Sequence, residues 1–202
     1  MKYVEGDLFE GMKGMKAIED GTIVIAHVCN DQGKMGAGFV IPLQKTFPDA
    51  KTAYTEWHRG QTDKEIRASV CPVSSTGPCE LGQTQFVQVQ GKTEESPRIL
   101  VANMVAQTLG GDRPLYYNEL VHCMEQVGLR ANGLAKLNII CPMFGGALAG
   151  GKWEFVSELI KDCWVSLAAE VTVYYLPQFV KAEDWKVMGL PTPAVRTQGE
   201  TK

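Results

Sequence analysis

Two glycine-rich segments limit what this chain can fold into. Asn30-Asp31-Gln32-Gly33-Lys34-Met35-Gly36-Ala37-Gly38 follows a β-branched apolar run at 22–28, and Gly145-Gly146-Ala147-Leu148-Ala149-Gly150-Gly151 follows another at 137–143. Each then leads into a stretch of helical periodicity. A strand end, a tight turn and a helix start in that order make an anion site. Glycine lets the backbone approach a ligand closely, and the first helical amides are unpaired donors at the positive end of the helix dipole. Two such turns in one chain point to a ligand with more than one phosphate or ribose.

At 202 residues the chain reads as one domain, able to bury about 70% of the surface its unfolded form exposes. Its apolar (45%) and charged (21%) fractions are those of a globular protein. A net charge of −3 with no run of five like charges argues against an extended nucleic-acid or anionic-membrane footprint. No apolar run approaches the roughly 20 residues that span a bilayer. The opening Met1-Lys2-Tyr3-Val4-Glu5-Gly6-Asp7 carries no signal-peptide apolar core. The six cysteines form no C-x-x-C pair and fit no zinc spacing. A reducing, cytoplasmic setting without metal or cofactor is the expectation.

Strands are expected at 2–5, 22–28, 66–73, 85–89, 98–105, 137–143 and 171–176, and the central ones are apolar enough to be covered on both faces. Helices are expected at 39–46, at 49–58 with Asp49 as N-cap, at 114–130 and at 152–168. The stretch 66–89 reads as two strands joined by a loop at 74–83, with no helix between, so the sheet should be mixed. One domain over 1–178 is expected, with 179–202 a partly disordered extension of which only Trp185 packs back.

Four motifs occur in a telling order: Gly6-Asp7-Leu8-Phe9; Ile25-Ala26-His27-Val28-Cys29-Asn30-Asp31 with Met35-Gly36-Ala37-Gly38; the turn from Gly145 to Gly151 before Trp153-Glu154; and Val171-Thr172-Val173-Tyr174. In that order and spacing the chain resembles a macro domain. The nearest branch is that of the ADP-ribose-1″-phosphate phosphatases, the terminal ADP-ribose glycohydrolases and their bacterial and phage relatives. The resemblance implies a three-layer α/β/α sandwich with a central mixed sheet, and ADP-ribose or a derivative as ligand. It implies Asp7, with Leu8 beside it, at the adenine amino group, and Asn30, Asp31, Met35, Gly36, Ala37 and Gly38 around the distal ribose. The amides of Gly145, Gly146, Ala147, Leu148, Ala149 and Gly150 would receive the diphosphate, and Tyr174 or Tyr175 would stack on adenine. Read without the resemblance, Asp7 caps a turn, the first loop is an ordinary strand-to-helix connection, and a strand tyrosine is a packing residue.

For catalysis, the glycohydrolase's lysine and aspartate are replaced by Gln107 and Ala149, neither of which serves as nucleophile or base. The phosphatase resemblance singles out His27, since an imidazole with a pKa near ~6.5 acts as acid or base at neutral pH. Asp112, in Gly110-Gly111-Asp112-Arg113-Pro114, is its expected partner acid, with Asp31 the runner-up. Otherwise Asp112 caps the helix before Pro114 and His27 is a buried structural histidine. The implied activity is removal of the phosphate from ADP-ribose-1″-phosphate. Alternatives are a non-catalytic ADP-ribose or nucleotide-binding module, and an ADP-ribosyl or acyl-ADP-ribose hydrolase. A dinucleotide fingerprint fits poorly, because Gly33-x-x-Gly36-x-Gly38 is not G-x-G-x-x-G.

Overall fold

The apolar run at 22–28 becomes a ten-residue strand, β2 (Gly21–Asn30), whose side chains alternate between two cores. Val24 and Ala26 join one, and Ile23, Ile25 and Cys29 join the other. A strand buried on both faces needs helices on both sides. The computed structural model describes residues 1–13, 15, 21–91, 93–112, 114–131, 136–146 and 149–192. Among these the sheet adds β1 (Lys2–Glu5), β3 (Val73–Ser75), β4 (Thr84–Gln90), β5 (Arg98–Gln107), β6 (Lys136–Pro142) and β7 (Glu170–Tyr175).

The strand order is β1-β7-β6-β2-β5-β4-β3. From β1 to β5 in that order every pairing is parallel, and the β5–β4 and β4–β3 pairings are antiparallel. Helices α1 (Leu8–Met12), α2 (Val40–Thr46), α3 (Pro48–His58) and α4 (Asp63–Ser69) supply Leu8, Leu43, Tyr54 and Ile66 to one core. Helices α5 (Tyr117–Ala131), α6 (Trp153–Cys163) and α7 (Ala182–Met188) supply Met124, Val156 and Trp185 to the other. The result is the expected three-layer α/β/α sandwich around a mixed sheet.

On α6 the buried stripe is Trp153, Val156 and Ile160, at helical spacing, and Trp164 continues it. Trp164 is fully enclosed and donates its indole N–H to the Met124 carbonyl at 2.8 Å, so its one polar atom is satisfied in the core. No described helix is long and apolar enough to cross a membrane.

Local chemistry corrects several element boundaries. The strand expected at 66–73 is instead α4 followed by the short β3. Thr62 and Glu65 form a capping box, the Thr62 amide donating to the Glu65 carboxylate at 2.7 Å, which starts a helix just before Ile66. The mixed sheet therefore comes from β3, β4 and β5. Asp49 is not an N-cap: Phe47 occupies that position, Pro48 opens α3, and Asp49 lies in its first turn. The helix expected from residue 114 begins at Tyr117, because the Leu115 and Tyr116 amides donate to the Ala149 and Ala106 carbonyls. Helix α6 stops at Cys163, where the chain tightens into a 3-10 turn over Val165–Leu167.

Beyond β7, α7 packs Trp185 and Met188 into the core, Trp185 standing edge-on to Tyr175 at 5.7 Å. Residues 193–202 of the expected extension lie outside the described residues.

Candidate functional site

Parallel strands end at one edge, and this orders the site. The segments after β1, β7, β6, β2 and β5 all leave the sheet on that side. The chain after β2 turns to α2–α4 on one face, whereas the chain after β6 turns to α6 on the other. Connections therefore part between neighbouring strands β2 and β6, and an open α/β sheet forms its ligand crevice at such a switch point. The two glycine segments flank this crevice.

The turn after β6 is closed at its neck. Gly151 donates its amide to the Gly145 carbonyl at 2.8 Å, and a Cβ on Gly151 would collide with that same oxygen. Gly145 has φ +78°, which a side chain would strain. Within the turn the Ala149 amide donates to the Gly146 carbonyl at 2.8 Å, and Ala149 itself is buried. The space where a Cβ of Gly146 would stand is open. Beyond the neck the Lys152 amide donates to the Tyr117 hydroxyl at 2.8 Å, and α6 then begins with no side-chain cap on its first amides. Ala147 and Leu148 lie outside the described residues.

The loop after β2 is held by Asn30, 5% exposed. Its Oδ1 accepts from the Gln32 and Lys34 amides at 2.9 and 3.1 Å, and its Nδ2 donates to the Lys34 carbonyl at 2.5 Å. The amide group expected to meet a ribose is thus engaged by its own loop. Met35 is buried in the α1–α4 core, while Gly36, Ala37 and Gly38 are exposed. Asp31 leaves one carboxylate oxygen, Oδ1, buried without a hydrogen-bond partner among the described residues. That is a costly position for an oxygen unless a ligand or water donates to it.

Asp7 does cap α1, its Oδ1 accepting from the Phe9 and Glu10 amides at 2.8 and 3.1 Å. The residue is exposed, and no described group donates to its Oδ2. Leu8 beside it is buried in the core. Tyr174 is also buried, its ring pressed against α1 at Gly11, where a Cβ would come within 2.5 Å of Cε1. Phe179, in the turn that follows β7, is 69% exposed.

His27 lies inside the sheet, 1% exposed. The hydrogen bonds around it fix its proton. Gln85 donates Nε2 to the Ala53 carbonyl, so its Oε1 accepts from Asn103 Nδ2, which also donates to the Ala50 carbonyl. Asn103 Oδ1 must then accept, and it takes the Nε2–H of His27 at 2.7 Å. Burial lowers the imidazole pKa from 6.5 to about 4, outweighing the hydrogen bonds to Asn103 and the Val28 backbone. The ring is therefore neutral at neutral pH.

Asp112 is exposed in the loop after β5, five residues ahead of α5, and does not cap that helix. Among the described residues no hydrogen bond joins it to His27, whose ring contacts Asn103 and Cys29. Helical His58 and His122 are not at the crevice edge: His58 ends α3 against Gly33, and His122 faces Glu119 at 3.6 Å. A cavity of 770 Å³ opens at Asp7 but runs beneath α1 toward Ile23 and Ile99, at the starts of their strands and away from both glycine turns. Among the described residues no group of three His, Cys, Asp or Glu could hold a metal.

Two contributors gave little signal in the sequence. Tyr54 sits in the buried stripe Ala50, Ala53, Tyr54 and Trp57, and only its hydroxyl hints at more than packing. Phe179 falls in what reads as a polar tail.

A parallel-centred sheet sandwiched by helices, with two glycine turns at its switch point, defines an α/β domain with a crevice at one sheet edge. No family sequence model and no curated protein sequence matches the chain. Solved structures do. A macrodomain protein from Streptomyces coelicolor is 34% identical over 86% of this chain and 97% of its own, with a TM-score of 0.61. The chain belongs to the macrodomain family. A Bacteroides thetaiotaomicron protein of unknown function is 30% identical over 87% of this chain and 97% of its own, with a TM-score of 0.66. Thermosipho africanus DarTG, solved in complex with ADP-ribose, shares the fold at 15% identity and a TM-score of 0.56, over 80% of this chain and 40% of its own.

Proposed function

We propose that this macrodomain binds ADP-ribose across the crevice. Adenine lies beside Asp7, the diphosphate on the turn at 145–152, and the distal ribose against Asp31, Gly36, Ala37 and Gly38. The observation that carries the reading is the convergence of two glycine turns and an exposed carboxylate on one edge of the sheet. The ADP-ribose complex of the Thermosipho relative supports the ligand class. In this reading Tyr174 props α1, and Phe179 offers its exposed ring to adenine. Asn30 and Met35 shape the ribose loop from behind.

Titration calorimetry with ADP-ribose tests the assignment, and Asp7→Asn sharpens it. Asparagine caps a helix about as well as aspartate, so the variant should melt within a few degrees of wild type. Its amide nitrogen, however, presents a donor to the adenine amino group. Affinity should fall about 10- to 100-fold, the worth of one hydrogen bond to a charged group. Unchanged affinity would return Asp7 to capping alone.

Hydrolysis of ADP-ribose-1″-phosphate is the second reading, and the unpartnered oxygen of Asp31 favours it. A carboxylate there can take a proton from water attacking phosphorus. A new O–P bond forms, the bond from phosphorus to the 1″ oxygen breaks, and the proton passes to the departing ribose oxygen. We assign the base role to Asp31 in preference to His27, which is enclosed and has its Nε2–H committed to Asn103. Asp112 remains the candidate acid from the neighbouring loop. Asp31→Asn should lose about 10²-fold in phosphate release beyond whatever ADP-ribose affinity it loses in calorimetry on the same variant. A wild type that binds ADP-ribose yet releases no phosphate would be a binding module.

A further inference from the structure

The loop that follows β2 is rich in glycine and has few side chains of its own to hold it. Gly36 and Gly38 have open space where a Cβ would stand. Its shape is set instead from α3. The Tyr54 hydroxyl, fully buried, donates to the Asn30 carbonyl and lies 3.4 Å from Asn30 Oδ1. One turn further along α3, His58 backs the loop: a Cβ on Gly33 would fall 2.7 Å from the His58 ring, and Gly33 has φ +68°.

We propose that Tyr54 is the positioning residue of the ribose loop, fixing it in its ligand-receiving form and so setting preference for ADP-ribose over ADP. The proposal rests on the ADP-ribose reading above. Asn30 ties Gln32 and Lys34 together, but nothing in that set reaches beyond the loop. Beside the Asp31 amide, which donates to the Gln107 carbonyl, and the buried Met35, Tyr54 supplies a side-chain connection to α3, which is itself anchored, since its Ala50 and Ala53 carbonyls accept from Asn103 and Gln85 on the sheet. A loop held this way need not lose conformational freedom when the ligand arrives, so its ordering cost is met during folding. ADP stops at the diphosphate and does not draw on this loop. The discrimination should therefore appear only for ligands that carry the second ribose.

Tyr54→Phe removes one oxygen and keeps the ring, so the core stays filled. Two measurements test the idea. In the ligand-free protein, hydrogen exchange at the Gln32 and Lys34 amides should quicken about tenfold or more, since loss of an anchoring hydrogen bond favours local opening. In calorimetry, ADP-ribose affinity should fall about tenfold while ADP affinity stays within about twofold. Gly33→Ala, which strains the same loop against His58 of α3, should produce the same split. Equal losses for both ligands would make Tyr54 a general structural residue, and unchanged exchange and affinity would remove it from the loop altogether. If the wild type binds neither nucleotide, the ADP-ribose reading fails, and the exchange rates alone decide whether Tyr54 holds the loop.

Discussion

Gly146→Val should give a protein that folds like the wild type and loses ADP-ribose binding by about 100-fold or more, because a branched side chain removes both ligand space and the nest geometry. Folding should survive because, chain neighbours aside, no described atom lies within 4 Å of where a Cβ on Gly146 would stand. The neck of the turn, from Gly151 to the Gly145 carbonyl, is untouched. What the valine fills is the room that a phosphate needs to reach backbone amides and the uncapped start of α6. Calorimetry on a variant whose melting matches wild type is the check. Retained wild-type affinity would move the diphosphate elsewhere.

Acid should destabilise the protein through His27. The folded state holds the imidazole pKa at about 4, against 6.5 when free. Between those values the unfolded chain binds a proton that the folded protein refuses, so stability rises with pH across that window. Above pH 6.5 the effect is absent, and below pH 4 it is complete. The full loss is about 3 kcal/mol, from the difference in pKa. Urea unfolding of wild type and His27→Gln from pH 7 to pH 4 isolates the group, because the other titrating residues are common to both. The wild type should lose about 3 kcal/mol more than the variant over this range. Parallel curves would show that His27 is already solvated in the folded protein.

The layered fold was legible because apolar patterning records burial. The run at 22–28 is nearly continuously apolar, broken only by Thr22 and His27, and such a strand must be covered on both faces. The two glycine turns were legible for the same local reason, since strand, turn and helix follow one another in the chain. The strand expected at 66–73 misread a short apolar run, whose helical start depends on Thr62 and Glu65 lying just outside it. Asn30 and His27 were harder. Their residue types suit a ligand site, but residue type does not reveal that protein groups already engage them: the Lys34 carbonyl of its own loop for one, Asn103 on β5 for the other. Tyr54 was invisible as a loop anchor, because a tyrosine in a buried helical stripe gives no sign of where its hydroxyl points. Phe179 was hidden by its surroundings, a proline-punctuated tail whose end, around Trp185, turns out to be a packed helix.

The first strand of the chain pairs with the last. Among the described residues Lys2–Glu5 has Glu170–Tyr175 as its one sheet neighbour, and the Gly6 amide waits for the Tyr175 carbonyl. On the ribosome, at roughly 5–20 residues per second, β1 therefore spends on the order of 10–30 s without a partner. The edge bearing Asp7 is assembled only when β7 has emerged, long after the β2 loop and the turn at 145–151 exist. The crevice edge after β1 is therefore the last to be completed, and a chain cut ahead of β7 would lack both the strand that β1 pairs with and that edge.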